Sequence, residues 1–441
     1  MTQQAFAATD QYQAPEPAGT DTLTRPTTVG VVGLGYVGLP TAVALTTSRV
    51  GVVGIDVNAT RISAIRNLDV DMSAHDRVRL AEMLGSGSYT MSDDVALLAG
   101  VDGIVICVPT PVDEHLTPDL TALRAACDSV VSVARPGQII VLTSTSYVGT
   151  TTDLLVEPLE RKGLRVGIDV FVAFSPERID PGSTTFEHNE VPRVVGGKSR
   201  ECTKRAVELV QLMTTKVHEV SSPEAAELTK LYENTFRAVN IALINEIADV
   251  SAALAVPIVE VIDAAATKPF GFMPFAPGPG VGGHCIPCDP HYLLWQLRSK
   301  RLTMPLVESA MQGIAARPAY LVSRAREVLA EAGVPIRGAR ILVAGVAYKP
   351  AVSDVRESPA LEIISRLRRL GAEVCYVDPY VASLTIDGQT IAASAPAEVE
   401  AVDLAILHTR HPGHDLRWLD CVPRVLDATY RAFDVANRLA V

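Results

Sequence analysis

The sequence predicts an α/β fold: two sheet domains joined by a long central helix and a helical middle domain. Three observations predict it. Short apolar runs alternate with helical stretches from Thr28 to about Val220. At Ser222 this rhythm gives way to roughly 30 residues of good helix formers, about 45 Å of helix. Near Arg337 the strand–helix rhythm resumes. Such alternation is the pattern of parallel sheets with crossover helices. The chain divides accordingly into a disordered tail over residues 1–24, a first sheet domain over 25–220, a helical domain over 221–325 and a second sheet domain over 326–441.

Residues 28–33 form an apolar strand that runs into Gly33-Leu-Gly35-Tyr36-Val37-Gly38, with a helix from Leu39. Residues 50–56 form a second strand ending in Asp56. Residues 103–108, 138–143, 170–174 and 193–196 read as further buried strands. Ser222 suits an N-cap, Pro223 the first helical position and Glu224 the positive end of the helix. The helix continues to about Leu254, before Pro257. A loop rich in glycine and proline surrounds Cys285. Strands follow at 339–345, 371–378, 403–408 and 424–427, and Ser358-Pro359 opens a helix.

Composition narrows the function. The 441 residues suit two or three domains, and 48% hydrophobic content supplies their cores. Apolar runs reach only strand length, so no membrane span is expected. The first 24 residues lack the basic start and apolar core of a signal peptide. The net charge of −11 argues against nucleic acid or anionic lipid as main partner. A phosphate ligand needs only local amides and a few cations. Seven cysteines, an odd count without an export signal, point to free thiols in a reducing cytoplasm.

Gly33-x-Gly35-x-x-Gly38 follows a strand, opens a helix and precedes Asp56 at the next strand end. This is the dinucleotide arrangement: helix amides hold the pyrophosphate and the acid accepts a ribose hydroxyl. The first domain is thus Rossmann-like, and a plain strand–helix turn is the alternative. Asp56 favours NAD over NADP, because a 2′-phosphate would meet its charge; Arg61 stands nearby. The second, Rossmann-like sheet lacks the fingerprint. Its Gly345-Val-Ala-Tyr-Lys349-Pro350 keeps one glycine and a lysine. It either binds a second nucleotide through Lys349 or binds nothing.

Cys285 admits three readings. Cys285-Ile-Pro-Cys288 is a redox dithiol or, with His284 and His291, part of a zinc site. Cys285 is a buried structural thiol. Or it attacks a carbonyl made beside the dinucleotide. Lys230 and Asn234 share a helix face and could stabilise an oxyanion. Asp289 could accept a proton from water.

These residues resemble the UDP-glucose/GDP-mannose dehydrogenase family from Thr28 to about Phe433. The motifs are Gly33-Leu-Gly-Tyr-Val-Gly-Leu-Pro40, Val108-Pro-Thr-Pro111, Ser144-Thr145, Ser175-Pro-Glu-Arg178, Ala226-Glu-Leu-Thr-Lys-Leu-Tyr-Glu-Asn234, Gly282-Gly-His-Cys-Ile-Pro-Cys-Asp289 and Asp354-Val-Arg-Glu-Ser358. The resemblance implies a four-electron, NAD-dependent oxidation at C6 of a nucleotide sugar, through a thiohemiacetal and a thioester on Cys285. It implies that Lys230 and Asn234 steady the oxyanion, that Asp289 and Thr145 position water and that Glu177 assists proton transfer. It sets Gly33, Gly35, Tyr36, Val37, Gly38, Asp56, Arg61, Pro109, Thr110, Thr145 and Arg356 at the cofactor. It sets Glu177, Arg178, Lys230, Asn234, Lys268, Phe272, Gly282, Gly283 and Lys349 at the UDP-sugar. No metal is implied.

Within the family, residues 177–182, 264–272 and 278–284 resemble the branch acting on UDP-N-acetylhexosamines. Asn240 and His284 depart from the UDP-glucose branch, and Asn240 with 264–272 is closer to the UDP-N-acetylglucosamine enzymes. Oxidation of UDP-N-acetylglucosamine for a surface polysaccharide is therefore expected, with UDP-N-acetylmannosamine or UDP-glucose as alternatives. A nucleotide-binding redox sensor using Cys285 and Cys288 is the alternative of another class. Cys288 and Thr429 depart from many relatives; Thr429 stands where an arginine is common. The resemblance also implies a homodimer or higher oligomer formed through the long helix.

Overall fold

The computed structural model describes residues 26–70, 72, 74–178, 190–283, 285–399 and 402–441. The expected tail, His284 and the 179–182 part of the substrate motif lie outside the described residues.

The first unit runs β1 (Thr28–Val32), α1 (Gly38–Thr46), β2 (Gly51–Ile55), α2 (Ala59–Arg66), α3 (Ala74–Gly85), β3 (Tyr89–Ser92), β4 (Gly103–Ile106), α4 (Thr121–Val133), β5 (Ile139–Leu142) and α5 (Glu157–Arg161). It continues with β6 (Phe171–Phe174), β7 (Arg193–Gly197), α6 (Arg200–Val210) and β8 (Val217–Val220). The eight strands order as β3-β2-β1-β4-β5-β6-β7-β8. Alternate residues feed opposite cores. Val29, Val31, Val105 and Val141 face one; Val32, Ile104, Ile106 and Leu142 face the other. A sheet buried on both faces requires such continuous apolar strands.

The expectation of an all-parallel sheet needs one correction. β6 and β7 pair antiparallel, Ala173 opposite Gly197 and Phe174 opposite Gly196. The segment between them carries Pro176, Pro181 and Pro192 and no helical repeat. A parallel return needs a crossover, usually a helix, whereas an antiparallel one does not.

The helical middle comprises α7 (Pro223–Ala253), α8 (Ile258–Ala266), α9 (Asp289–Ser299) and α10 (Pro305–Glu331). α7 begins as expected, with the Ser222 side chain accepting from the Ala225 amide. Its 31 residues span about 46 Å. Buried Glu227 ties its first turns to the first unit, accepting from the Gly149 and Thr151 amides at 2.6 and 2.8 Å.

The last unit runs β9 (Arg340–Ala344), α11 (Pro359–Arg369), β10 (Glu373–Val377), β11 (Ser383–Ile386), β12 (Gln389–Ala392), β13 (Leu404–Leu407), β14 (Val425–Asp427) and β15 (Arg438–Ala440). Its parallel sheet orders as β10-β9-β13-β14-β15, beside a β11–β12 hairpin. Both sheets thus have a doubly wound order, whose binding crevice lies beyond the carboxyl ends of the strands where the order reverses.

Candidate active site

The residues expected at the cofactor gather along that edge of the first sheet. Gly33 to Gly38 follow β1, Asp56 follows β2, Pro109 and Thr110 follow β4, and Thr145 follows β5. The glycines have separate reasons. Gly33 sits at φ +86°, and a Cβ on Gly38 would lie 1.7 Å from the Gly33 carbonyl. The turn therefore packs only without side chains. A Cβ on Gly35 would meet nothing within 4 Å, so the backbone there faces open space.

Asp56 locks the turn and stays available. It accepts from the Leu34 amide at 2.8 Å and the Asn58 amide at 2.9 Å, and it is half-buried. Arg61 donates to the Leu34 carbonyl at 2.8 Å, so it buttresses the same turn. The Val37 side chain makes no cap on α1. Open backbone at Gly35, an uncapped helix start and a half-exposed acid fit a dinucleotide. When bound, NAD⁺ supplies a hydride acceptor here. Tyr36 is exposed, and the Arg356 guanidinium stacks 4.0 Å from its ring centre. Asp354 fixes Arg356 through Nε at 2.9 Å. This contact joins the loop after β9 to the cofactor turn.

The thiol site forms where α7 and α9 meet the loops that follow β4 and β9. The Cys285 carbonyl accepts from the Asp289 amide at 2.8 Å, so the loop turns directly into α9. That backbone bond sets the start of α9, and with it Asp289, against the Cys285 turn. Asn234 is buried on α7 and donates to Asp289 Oδ2 at 2.5 Å. Lys230, one turn earlier, is half-buried and pulls electrostatically on Asp289. Burial pushes the Asp289 carboxyl up to about 6, against Lys230 and the Asn234 amide. Cys285 is exposed, whereas Cys288 is buried and its thiol is pushed up to about 12 by that burial. Among the described residues, no three His, Cys, Asp or Glu side chains group to hold a metal.

Other expected residues frame this cluster. The Thr110 hydroxyl donates to the Thr145 carbonyl at 2.6 Å, and the Tyr292 hydroxyl of α9 to the Thr110 carbonyl at 2.8 Å. α9 is thereby docked onto the cofactor edge. Glu177 pairs with buried Arg193 at 2.8 Å, and Arg178 pairs with Glu233 on α7. Gly283 (φ +78°) donates to the Arg356 carbonyl at 3.0 Å. A Cβ on Gly282 would lie 2.6 Å from the Tyr348 side chain, so the loop packs against the last unit. Half-buried Lys349 lies beside Tyr348, 5.9 Å from its ring centre.

Lys268 and Phe272 are not brought to the cluster. Both are exposed beyond α8, and Lys268 lies 5.2 Å from the Phe270 ring centre. Thr429 turns inward, its hydroxyl donating to Asp427 at 2.6 Å. Sequence reasoning missed Arg193, Glu233 and Tyr292. Glu233 carries a findable signal, three residues from Lys230 on the same helix; the other two are joined only by the fold.

Three models of the UDP-glucose/GDP-mannose dehydrogenase family match in sequence: the NAD binding domain at residues 27–214, the central domain at 224–313 and the UDP binding domain at 342–439. UDP-N-acetyl-D-glucosamine 6-dehydrogenase of Pseudomonas aeruginosa is 36% identical, over 80% of this chain and 83% of its own. UDP-N-acetyl-D-mannosamine dehydrogenase of Pyrococcus horikoshii is also 36% identical, over 87% and 89%. A solved UDP-D-ManNAc dehydrogenase of that organism superposes with a TM-score of 0.84 at 31% identity, over 94% of this chain and 98% of that one. A UDP-glucose dehydrogenase of Pyrobaculum islandicum superposes at 0.81 with 27% identity, over 92% and 94%. The chain belongs to the UDP-glucose/GDP-mannose dehydrogenase family, as an NAD-dependent oxidoreductase with a UDP-binding domain.

Proposed function

We propose that the protein oxidises the C6 hydroxyl of UDP-N-acetylglucosamine to the carboxylate, in two oxidations at one site. The observation that carries this is the cluster of exposed Cys285, buried Asp289 and Asn234, and Lys230, set between an NAD edge and a UDP-binding unit. Residues 25–220 serve as the NAD unit, 221–325 as the helical and association unit and 326–441 as the UDP-sugar unit.

The first oxidation leaves an aldehyde at C6. The Cys285 sulfur adds to that carbonyl carbon and gives a thiohemiacetal, whose oxygen Lys230 and the second amide hydrogen of Asn234 stabilise. Loss of a second hydride leaves a thioester. Water, positioned by Thr145, attacks it while Asp289 takes the proton, and the carbon–sulfur bond breaks to release carboxylate and thiol. An acid near 6 suits this at neutral pH, being mostly ionised yet still a competent base. Glu177, held by Arg193, assists proton transfer or hydrolysis, and Lys349 pairs with the substrate diphosphate. Buried Cys288, with a thiol near 12, is a poor source of thiolate, which weighs against the redox-sensor alternative.

The N-acetylglucosamine assignment rests on the motifs at Asn240 and 264–272 and on the Pseudomonas aeruginosa relative. UDP-N-acetylmannosamine is the second reading, favoured by the Pyrococcus horikoshii relative at equal identity. No helix among the described residues is long and apolar enough to cross a membrane, and the assigned setting is the cytoplasm, supplying a surface polysaccharide. Exposed Leu228, Tyr232, Leu243 and Val250 on α7 support a homodimer through that helix. The test supplies four UDP-sugars with NAD⁺ and counts NADH, with Cys285→Ala beside the wild type. About two NADH per sugar is expected, and Cys285→Ala forms no uronate. One NADH per sugar, or full activity without the thiol, removes the mechanism.

A further inference from the structure

Arg317, on α10, is a buried cation with partners in three other parts of the chain. It is 4% exposed. Nη1 donates to both oxygens of Asp249 on α7 at 2.7 and 2.9 Å. Nη2 donates to the Tyr430 hydroxyl, just past β14, at 2.5 Å. Nε donates to the Gly278 carbonyl at 3.2 Å. The Tyr320 ring lies 4.5 Å from the guanidinium carbon. The other polar group of Gly278, its N–H, donates to buried Asn245 of α7 at 3.0 Å.

Gly278 opens the loop that ends at Cys285. Two buried side chains therefore hold both backbone polar groups of one residue at the entry to the nucleophile loop. At the other end, Gly283 is tied to Arg356 and the Cys285 carbonyl to the start of α9. Between them Gly280, at φ +139°, passes so close to Pro359 that a Cβ would lie 2.9 Å from its ring. The loop is pinned at both ends and has little room in the middle.

Stability alone does not account for Arg317. Its ion pair with Asp249, whose side chain is 36% exposed, is screened by solvent and contributes little by itself. A planar guanidinium instead holds several partners in one fixed fork. Here the fork relates the loop entry to α7 and to the last unit at once. We propose that Arg317 is a positioning residue for the Cys285 loop, registering the nucleophile against the UDP-binding unit through Gly278, Asp249 and Tyr430. This rests on Cys285 being the nucleophile.

The test compares Arg317→Met, Arg317→Lys, Asn245→Ala and Tyr430→Phe in the full-length chain. It reads kcat and KM separately, NADH per sugar, the rate of Cys285 alkylation by iodoacetamide, and thermal midpoint. Misplacement of reacting groups by about 1 Å costs about 100-fold. Arg317→Met is expected to lose kcat on that order, with KM for NAD⁺ unchanged and a Cys285 alkylation rate changed several-fold. Arg317→Lys, which keeps the charge without the fork, does not rescue kcat. Asn245→Ala and Tyr430→Phe shift the same two readouts less. If Arg317→Met fails to fold, these two milder variants decide by the same criteria. Wild-type alkylation in folded variants overturns the proposal, whether or not kcat falls. Uronate formation by Cys285→Ala would instead remove the nucleophile reading itself, so the two failures are distinct.

Discussion

The two sheets place an aspartate at the same topological point and use it differently. Asp56 follows β2 and Asp378 follows β10, each the second strand of its unit. Asp56 accepts two amides and stays half-buried. A carboxylate has about four acceptor sites, so room remains for a ribose. Asp378 is buried and accepts from the amides of Val346, Ala347, Tyr380 and Val381 and from His411. Burial opposes its ionisation, but these donors outweigh it and hold the carboxyl below its usual range. The first glycine is alike in both: a Cβ would lie 2.7 Å from the Cys107 carbonyl at Gly33 and 2.0 Å from the Thr409 carbonyl at Gly345. Two residues on, the turns part: Gly35 faces open space, whereas Ala347 in the same place is fully buried. One acid keeps acceptor sites for a ligand, and the other spends all of its sites on the protein itself. Doubly wound order alone therefore does not make a dinucleotide site; the unspent hydrogen-bonding capacity of the acid does.

The largest effect that would break this contrast is expected at Asp378. Asp378→Ala strands four amides and a histidine, and removing one partner of a buried network costs about 3–5 kcal/mol. Urea unfolding should show that loss while NAD⁺ affinity is kept. Unchanged stability with lost nucleotide affinity would make Asp378 a ligand-binding acid after all. Asp289, the first residue of α9 and packed on α7, is a third case, a buried acid with too few donors. Its carboxyl rises from 3.8 to about 6. At 1.36 kcal/mol per unit, that is roughly 2–3 kcal/mol against the folded state at neutral pH. A raised folded value favours folding fully below about pH 4, and that favour is lost as pH rises through about 6. Asp289→Asn should therefore be more stable than wild type at pH 7–8, with the gap closing towards pH 4, and inactive throughout. Thermal midpoints across that range check it.

Asp56→Ala should do the reverse of Asp378→Ala. Loss of a charged hydrogen bond costs about 1.5–3 kcal/mol, roughly 10- to 100-fold in NAD⁺ affinity. Titration calorimetry reads it, with an unfolding loss well below that of Asp378→Ala, since two amides at a half-buried acid rather than four at a buried one lose their partner. The smallest effect belongs to the contact where the two units touch. Tyr36→Leu removes the stacking of Arg356, worth about 0.5–1 kcal/mol at an exposed site. KM for NAD⁺ should rise only a few-fold; a larger rise would mean that the last unit helps to hold the cofactor.

Much of this was legible in the sequence because local chemistry dictated it. The Gly33–Gly38 turn, the Ser222 cap and the apolar strands at the sheet centre each satisfy their own requirement within a few residues. Edge strands were not legible. β3 and β8 read Tyr-Thr-Met-Ser and Val-His-Glu-Val, half-exposed and without an apolar run. The β11–β12 hairpin did carry a signal: Asp387-Gly388, both at positive φ (49° and 75°), is the dipeptide of a tight hairpin turn. In the site, Cys285 and Asp289 share one turn and Lys230 and Asn234 one helix face, but spacing alone does not single them out; the resemblance to the family does. Their supports Arg193 and Tyr292 come from strands and helices distant in the chain, and no local pattern announces them.

α7 has a mechanical consequence. Glu227 fastens the helix near one end, Asn234 sits two turns further on, and Asp249 meets Arg317 near the other end. The helix is thus a lever with its fulcrum beside the NAD unit. Pivoting at Glu227 by about 3° would move Asn234, about 10 Å along, by about 0.5 Å, and Asp249, about 33 Å along, by about 1.7 Å. A displacement at Asp249 would thus be geared down roughly threefold before it reaches Asn234.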